Sequence, residues 1–423
     1  MLRGVLGGFA RGRRQTSAAT LYLDFLAGLN DPRITYSGGA NGTRVNSAGV
    51  IVAATTPRFD YDPVTLAARG LLVEEARTNL LLQSENLATT WATNEASISS
   101  NATTSPDGTA NADALIPSTN NSVLHRVDQS SQTVSAGATV TLTAYLKSAG
   151  YNFLLIRCGN AGESAAFQVE ANLGAGTLGT AIAYGAGGAV VSASIAQAGN
   201  GWYRVSLTGS VTTVTSYKCS FYCYNATGAP SFAGNGTSGI YIWGTQLEAG
   251  LFPTSYIPTT SASVTRTADS AVMTGTNFSS WYNQSEGTFV FSGDTYGANA
   301  EIPFLTAQDN PLNDSFHRAN LLFAFQRMRF VSANVTIQAN IAPVTTITAG
   351  AQFKGAITYA TNDFAACMNA GTVATATSGS VPTDIAQLVI GGGGYLTQTN
   401  GHIRTLQYFP RRLPNTQLQT LTA

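Results

Sequence analysis

The chain has 423 residues, enough for two or three domains with cores of their own. Only 10% of them are charged, 22 basic against 22 acidic, where an average globular chain carries roughly 25%. That balance excludes a general nucleic-acid binder, which needs a concentrated basic face, and the sequence holds no run near the ~20 apolar residues of a membrane span.

Residues 1–19 form an arm. Arg3, Arg11, Arg13 and Arg14 stand among glycines with neither a helical nor a strand period. Its short, interrupted apolar part does not make a signal peptide, so the protein is expected to be made in a cytoplasm. The arm reads either as an unstructured start or as a peptide that orders when it docks on another protein.

Residues 20–83 are short, turn-rich and β-like, a small connecting region. Asn41-Gly42 and Ala48-Gly49 are turn signals, and Asp62-Pro63 starts another. Glu74 and Glu75 are adjacent. In a strand they point to opposite faces, which excludes a catalytic pair and leaves a solvated face as the reading.

Residues 84–258 read as a β-sandwich. In "TVTLTAYLKSA", Val140, Leu142, Ala144 and Leu146 share one face. In "NGWYRVSLT", Tyr203, Val205 and Leu207 face one way and Trp202, Arg204 and Ser206 the other. Many short strands parted by Gly, Asn and Ser turns favour this architecture. The last strand runs from Ile240 to Leu247. "FPTSYIP" then leaves in extended form, because Pro253 and Pro258 fix φ and bias the residues before them. Residues 259–270 are expected to be a linker, so that the whole passage reads as a stiff tether.

Residues 271–423 read as a second sandwich of jelly-roll type. "TYATNDFAACMNAG" is two strands joined by a tight turn, and "RRLPNTQLQTLTA" ends in a short helix that packs Leu418 and Leu421 on a sheet. The fold class is therefore all-β, with tandem antiparallel β-sandwiches and a short terminal helix. Cys158, Cys219, Cys223 and Cys367 are read as reduced core residues. Cys219 and Cys223 share a strand face at roughly 13 Å, too far to bridge.

Four phrases resemble virion proteins of tailed bacteriophages: "RFDYDPVTLAARGLLVEEARTNLLLQSE", "NGWYRVSLT", "GTSGIYIWGTQLEAGLFPTSYIPTTSASVTRTAD" and "GHIRTLQYFPRRLPNTQLQTL". Their order is similar to that in head-spike and tail-fibre proteins, where a carbohydrate-binding-like sandwich precedes a concanavalin-A-like lectin sandwich. The resemblance covers most of the chain from about residue 35. It implies a structural appendage on the virion surface, a homo-oligomer and usually a trimer. The arm would be anchored to tail, portal or capsid proteins, and the sandwiches would touch host glycans. A glycan-degrading tailspike and a purely structural capsid decoration are the alternatives.

The sequence carries no alternating-acid strand of the kind glucanases use. None of His125, His317 and His402 stands near a nucleophile elbow, and His402, at the start of an apparent strand, is read as a surface or satisfied histidine. No enzyme, cofactor or zinc site is expected. "DNPLND" gathers Asp309, Asn310, Asn313 and Asp314 as a calcium loop might, but without regular spacing, and an ordinary turn is preferred. Trp281, Tyr282, Tyr296 and Tyr395 are the aromatic candidates for stacking on a sugar ring. For each of them a core or interface role is the preferred reading.

Overall fold

Alternation at a period of two governs most of this chain, and the computed structural model builds paired antiparallel sheets from it. The structure describes residues 18–296, 303–308, 318–322, 327–332, 336–341, 347–382, 385–392 and 398–423. Arg3, Arg11, Arg13, Arg14, Asp309, Asn310, Asn313, Asp314, His317 and Tyr395 lie outside the described residues.

The middle sandwich closes on itself. Its six-stranded sheet runs Gly188–Gln197, Tyr203–Val211, Val140–Ala149, Gly239–Ala249, Ala112–Pro117, Ala96–Thr103. Facing it is a sheet with the central order Ala166–Asn172, Phe153–Gly159, Lys218–Tyr224, Val123–Ser130 and short strands at its margins. Val140, Leu142, Ala144, Leu146, Val205 and Leu207 point between the sheets, as the alternation requires, against Leu154, Ile156, Phe167 and Phe221. All four cysteines are buried and none is bonded to another. Cys219 and Cys223 share the inward face, where Cys158 Sγ lies 3.4 Å from Cys219 Sγ.

The outer sandwich is assembled from both ends of the chain. One sheet runs Ala374–Ala376, Phe364–Met368, Phe353–Ala360, Glu286–Gly293, Gly401–Phe409, Ala68–Val73, Phe59–Tyr61. Leu21–Asp24 also pairs with Gly401–Phe409, in the register Leu21↔Tyr408 to Asp24↔Thr405. The facing sheet begins with Thr35–Ser37 beside Ser270–Thr274, then Gln387–Ile390 and Pro303–Gln308. Thus 20–83 does more than connect: it supplies strands to both sheets of the outer sandwich, and the middle sandwich is an insertion between them. The reason is visible in the core. Leu21, Leu23, Phe25, Leu71 and Val73 fill the same apolar cluster as Phe289, Phe291, Ile403 and Leu406. These short strands have no other apolar surface of that size to cover them.

Gly70 shows how closely the two ends meet. Its φ is +111°, and a Cβ there would sit 2.3 Å from the carbonyl oxygen of Ile403. The terminal helix Asn415–Leu421 packs Leu418, with Leu421 partly covered, on Val290, Ala356 and Cys367. The turn between Phe353–Ala360 and Phe364–Met368 places Asn362 at φ 57°. Among the described residues, no helix is long and apolar enough to cross a membrane.

Candidate functional site

The stretch read as a projecting tether is instead drawn into the joint between the sandwiches. Thr254, Tyr256, Ile257 and Thr259 are buried. Val264–Arg266, within the expected linker, pairs with Arg77–Asn79. The segment forms no strand of its own and bends at Ser255, and its backbone groups are satisfied by protein. Ile257 N–H donates to Gln246 Oε1 at 2.7 Å, and Thr254 N–H to Glu248 Oε1 at 2.8 Å. Asn79 Nδ2 donates to the carbonyl of Ile257 at 2.9 Å.

Behind this segment lies a buried ionic network. Arg58 Nη1 is 2.8 Å from Glu74 Oε2, and Arg58 Nε donates to Asp269 Oδ1 at 3.0 Å, with a second contact from Nη2 to Oδ2. Arg266 Nη1 is 3.3 Å from Glu74 Oε2 and donates to Thr254 Oγ1 at 3.0 Å. Ser255 closes the set, giving its N–H to Glu74 Oε1 at 2.7 Å and its hydroxyl to Oε2 at 2.6 Å. The expected solvated face at Glu74 is therefore corrected: Glu74 is 5% exposed. The strand ends at Val73, so Glu74 lies just beyond it, where it meets Arg58 and Arg266. Burial opposes its charged form, yet Arg266 and Arg58 outweigh this and hold its carboxyl well below the ordinary value. For Asp269 burial prevails over Arg58, and its carboxyl is raised.

In front of the network is a cleft of about 250 Å³. Its floor is the outward face of the six-stranded sheet, with Tyr145, Ser194, Arg204 and Ser206. Arg44, Asp60, Arg69, Glu74, Tyr296 and His402 form the opposite wall, and Pro253 to Tyr256 the rim. Bulges aim several of these groups. The ladder between Val140–Ala149 and Gly239–Ala249 shifts between Thr143 and Tyr145, with Gly244 at φ 60°. A second shift falls at Asp60/Tyr61, and a third at Ser292/Gly293 beside Asp294.

His402 is 2% exposed and held between two carboxylates. Nε2 lies 3.0 Å from Asp60 Oδ2, and Nδ1 lies 2.9 Å from Asp294 Oδ1. Burial disfavours the imidazolium, but Asp294 and Asp60 outweigh it and raise the group to about 9. His125 is likewise buried and satisfied, with Nε2 2.8 Å from the carbonyl oxygen of Phe232.

The aromatic candidates part company here. Trp281 is 5% exposed and its faces are covered by Phe278, Phe289 and Tyr408, so it is a core residue and no sugar platform. Tyr282 is half-buried, stacked on Phe278 and Tyr408. Both sit on the apolar side of the outer sheet, where the buried cluster needed area. Tyr296 is 39% exposed and does reach the cleft. Sequence reasoning missed Tyr145, Arg44 and Arg204 as site residues. The signal was present in "NGWYRVSLT", where Trp202, Arg204 and Ser206 alternate away from the core, but nothing local showed that a second sandwich covers that face.

A scan of protein-family models matches none of them, and a search of curated proteins finds no match. Solved structures give distant likenesses. Trypanosoma rangeli sialidase with the inhibitor DANA is 13% identical over 73% of this chain and 60% of that chain, with a TM-score of 0.27. A mutant of that sialidase with trans-sialidase activity matches at 15% over 36% of this chain, spanning 25% of the mutant's own length, TM-score 0.26. Domains LG4-5 of the mouse laminin α1 chain match at 11% over 70% of this chain and 90% of that one, TM-score 0.24. The chain spans less than two thirds of the sialidases' length. TM-scores this low carry no argument, and the all-β class rests on the sheets described above.

Proposed function

We propose that the protein is a structural appendage of a tailed-bacteriophage virion, a tail fibre or a head fibre or spike, whose two sandwiches hold a glycan-binding cleft. One observation carries this reading. The four phrases that resemble phage virion proteins lie far apart in the chain and converge on a single place. The first brings Arg58, Asp60, Arg69 and Glu74; the second Arg204 and Ser206. The third brings Thr254, Ser255, Tyr256, Arg266 and Asp269; the fourth His402. The cleft combines tyrosine rings with Ser194, Gln197, Ser206 and arginines, a composition suited to a pyranose ring and its hydroxyl groups.

The two carboxylates in the cleft favour binding over turnover. Glu74 stays ionised at neutral pH and so is no proton donor. Asp60 accepts from Val45 N–H at 2.7 Å through one oxygen and contacts His402 through the other. In this reading the chain assembles as a homotrimer, the arm at residues 1–19 anchors it to other virion proteins, and several copies per particle bind host surface glycans by avidity. Co-sedimentation of the purified protein with host surface polysaccharide tests the adhesion role, and labelled particles viewed by electron microscopy test the location. Release of reducing ends from that polysaccharide would replace this reading with the glycan-degrading one. Particles lacking the protein that still adsorb normally would favour a capsid decoration.

A further inference from the structure

We propose that the cleft recognises an acidic sugar, a unit bearing a carboxylate, through Arg44, Arg204 and Tyr145. This rests on reading the cleft as a glycan site and names the chemistry it selects.

The argument is one of unbalanced charge. Most ionic groups around the cleft are paired: Arg69 with Asp62 at 2.7 Å, Arg58 with Glu74 and Asp269, Arg266 with Glu74, and His402 with Asp60 and Asp294. Arg44 and Arg204 have no carboxylate partner among the described residues. Arg44 Nη1 reaches only the carbonyl of Phe59, at 3.3 Å. Arg204 Nη2 donates to the carbonyl of Thr254, and its guanidinium lies over the Tyr145 ring at 5.6 Å. The Nε of each is buried without a hydrogen-bond acceptor. Glu248, on Gly239–Ala249 beyond the Tyr145 strand, is turned to Thr254 and Gln246.

Both arginines are partly exposed, but a guanidinium whose Nε is buried without an acceptor or a counter-charge is costly, and a bound anion offsets that cost. Guanidinium is also the group best matched to a planar carboxylate, through paired N–H donors. Tyr145 adds a hydroxyl that makes no hydrogen bond within the described residues, and burial raises its ionisation above the ordinary value, which keeps it a donor. At about 250 Å³ the cleft lies near the small end of ligand pockets, a size for a single sugar unit.

The test is calorimetric titration of the full chain with glucuronate, N-acetylneuraminate, glucose and inorganic phosphate. The acidic sugars are expected to bind at least tenfold more tightly than glucose, with affinity falling as salt rises. Arg44→Gln and Arg204→Gln are each expected to weaken that binding at least tenfold, Arg204→Lys less, and Tyr145→Phe a few-fold. Melting temperatures check that each variant is folded. If Arg204→Gln fails to fold, Arg204→Lys and Arg44→Gln carry the test. Glucose binding as well as the acids, with affinity untouched by the arginine variants, overturns the acidic-sugar inference while the glycan reading stands. Phosphate binding as tightly as the acidic sugars also overturns it, as a site for any anion. If no sugar binds and host polysaccharide does not co-sediment, the glycan reading falls and takes the inference with it.

Discussion

The middle sandwich's interior and the joint between the sandwiches are both buried, but opposite chemistry holds them. The interior is apolar throughout its centre: Leu142, Leu146, Ile156, Phe167, Phe221 and Ile242 meet between two sheets. The joint is built on Arg58, Glu74, Arg266 and Asp269, with Ser255 and Thr254 filling the remaining donors and acceptors. Apolar packing is nondirectional and tolerates repacking. A buried charge accepts only its own partners, so the joint specifies one relative placement of the two sandwiches. The comparison assigns stability to the interior and geometry to the joint.

The largest expected effects separate the two. Phe221→Ala should destabilise the middle sandwich by about 3–5 kcal/mol, through a cavity beside Trp91. Glu74→Ala should cost a similar ~3–5 kcal/mol, because it leaves Arg58 and Arg266 with fewer counter-charges. The signatures differ. In calorimetry the Phe221 variant should lower the midpoint of a single coupled transition, whereas the Glu74 variant should split that transition into two. A Glu74 variant that melts as one transition with unchanged midpoint would remove the joint's role.

Next in size is the pH dependence of the joint. His402 is raised from 6.5 to about 9, so its contribution is whole below pH 6.5 and is lost as pH rises toward 9. The loss is on the order of 3 kcal/mol. Glu74 is held below its ordinary 4.5, so its contribution is present above that pH and is lost in acid. Denaturant midpoints should therefore fall between pH 6.5 and 9 in the native protein. That alkaline slope should flatten in His402→Gln, and an unchanged slope would remove His402 as its source. Gly70→Ala should cost about 1–3 kcal/mol, since its Cβ would meet the backbone of Ile403, and the loss should appear in chemical denaturation. Smallest is Asp31→Asn. It breaks a surface pair with Arg33 and should shift stability by less than about 1 kcal/mol in the same assay.

Much of the fold was legible because strands report their buried face locally. Val140 to Leu146, Tyr203 to Leu207 and the terminal Leu418 went where their spacing put them. The site was less legible. Of the aromatic candidates, Tyr296 lines the cleft, while Trp281 and Tyr282 take the core role that was preferred for them. Alternation marks one face as apolar but does not say what covers the other. Thr141, Thr143 and Tyr145 lie on the second face of a strand and are buried as well, under the covering loops and the other sandwich.

The sequence by itself determined the paired sheets, their turns and the inward side chains, because each follows from a repeat of two residues and from local backbone preference. Tertiary structure alone decided that residues 20–83 complete the outer sandwich and that the proline segment becomes a wall. It also chose the partners of Arg58, of which Asp269 stands 211 residues away. Charge pairing at that separation leaves no local pattern, since any arginine suits any carboxylate until the fold brings one of each together and excludes water from between them.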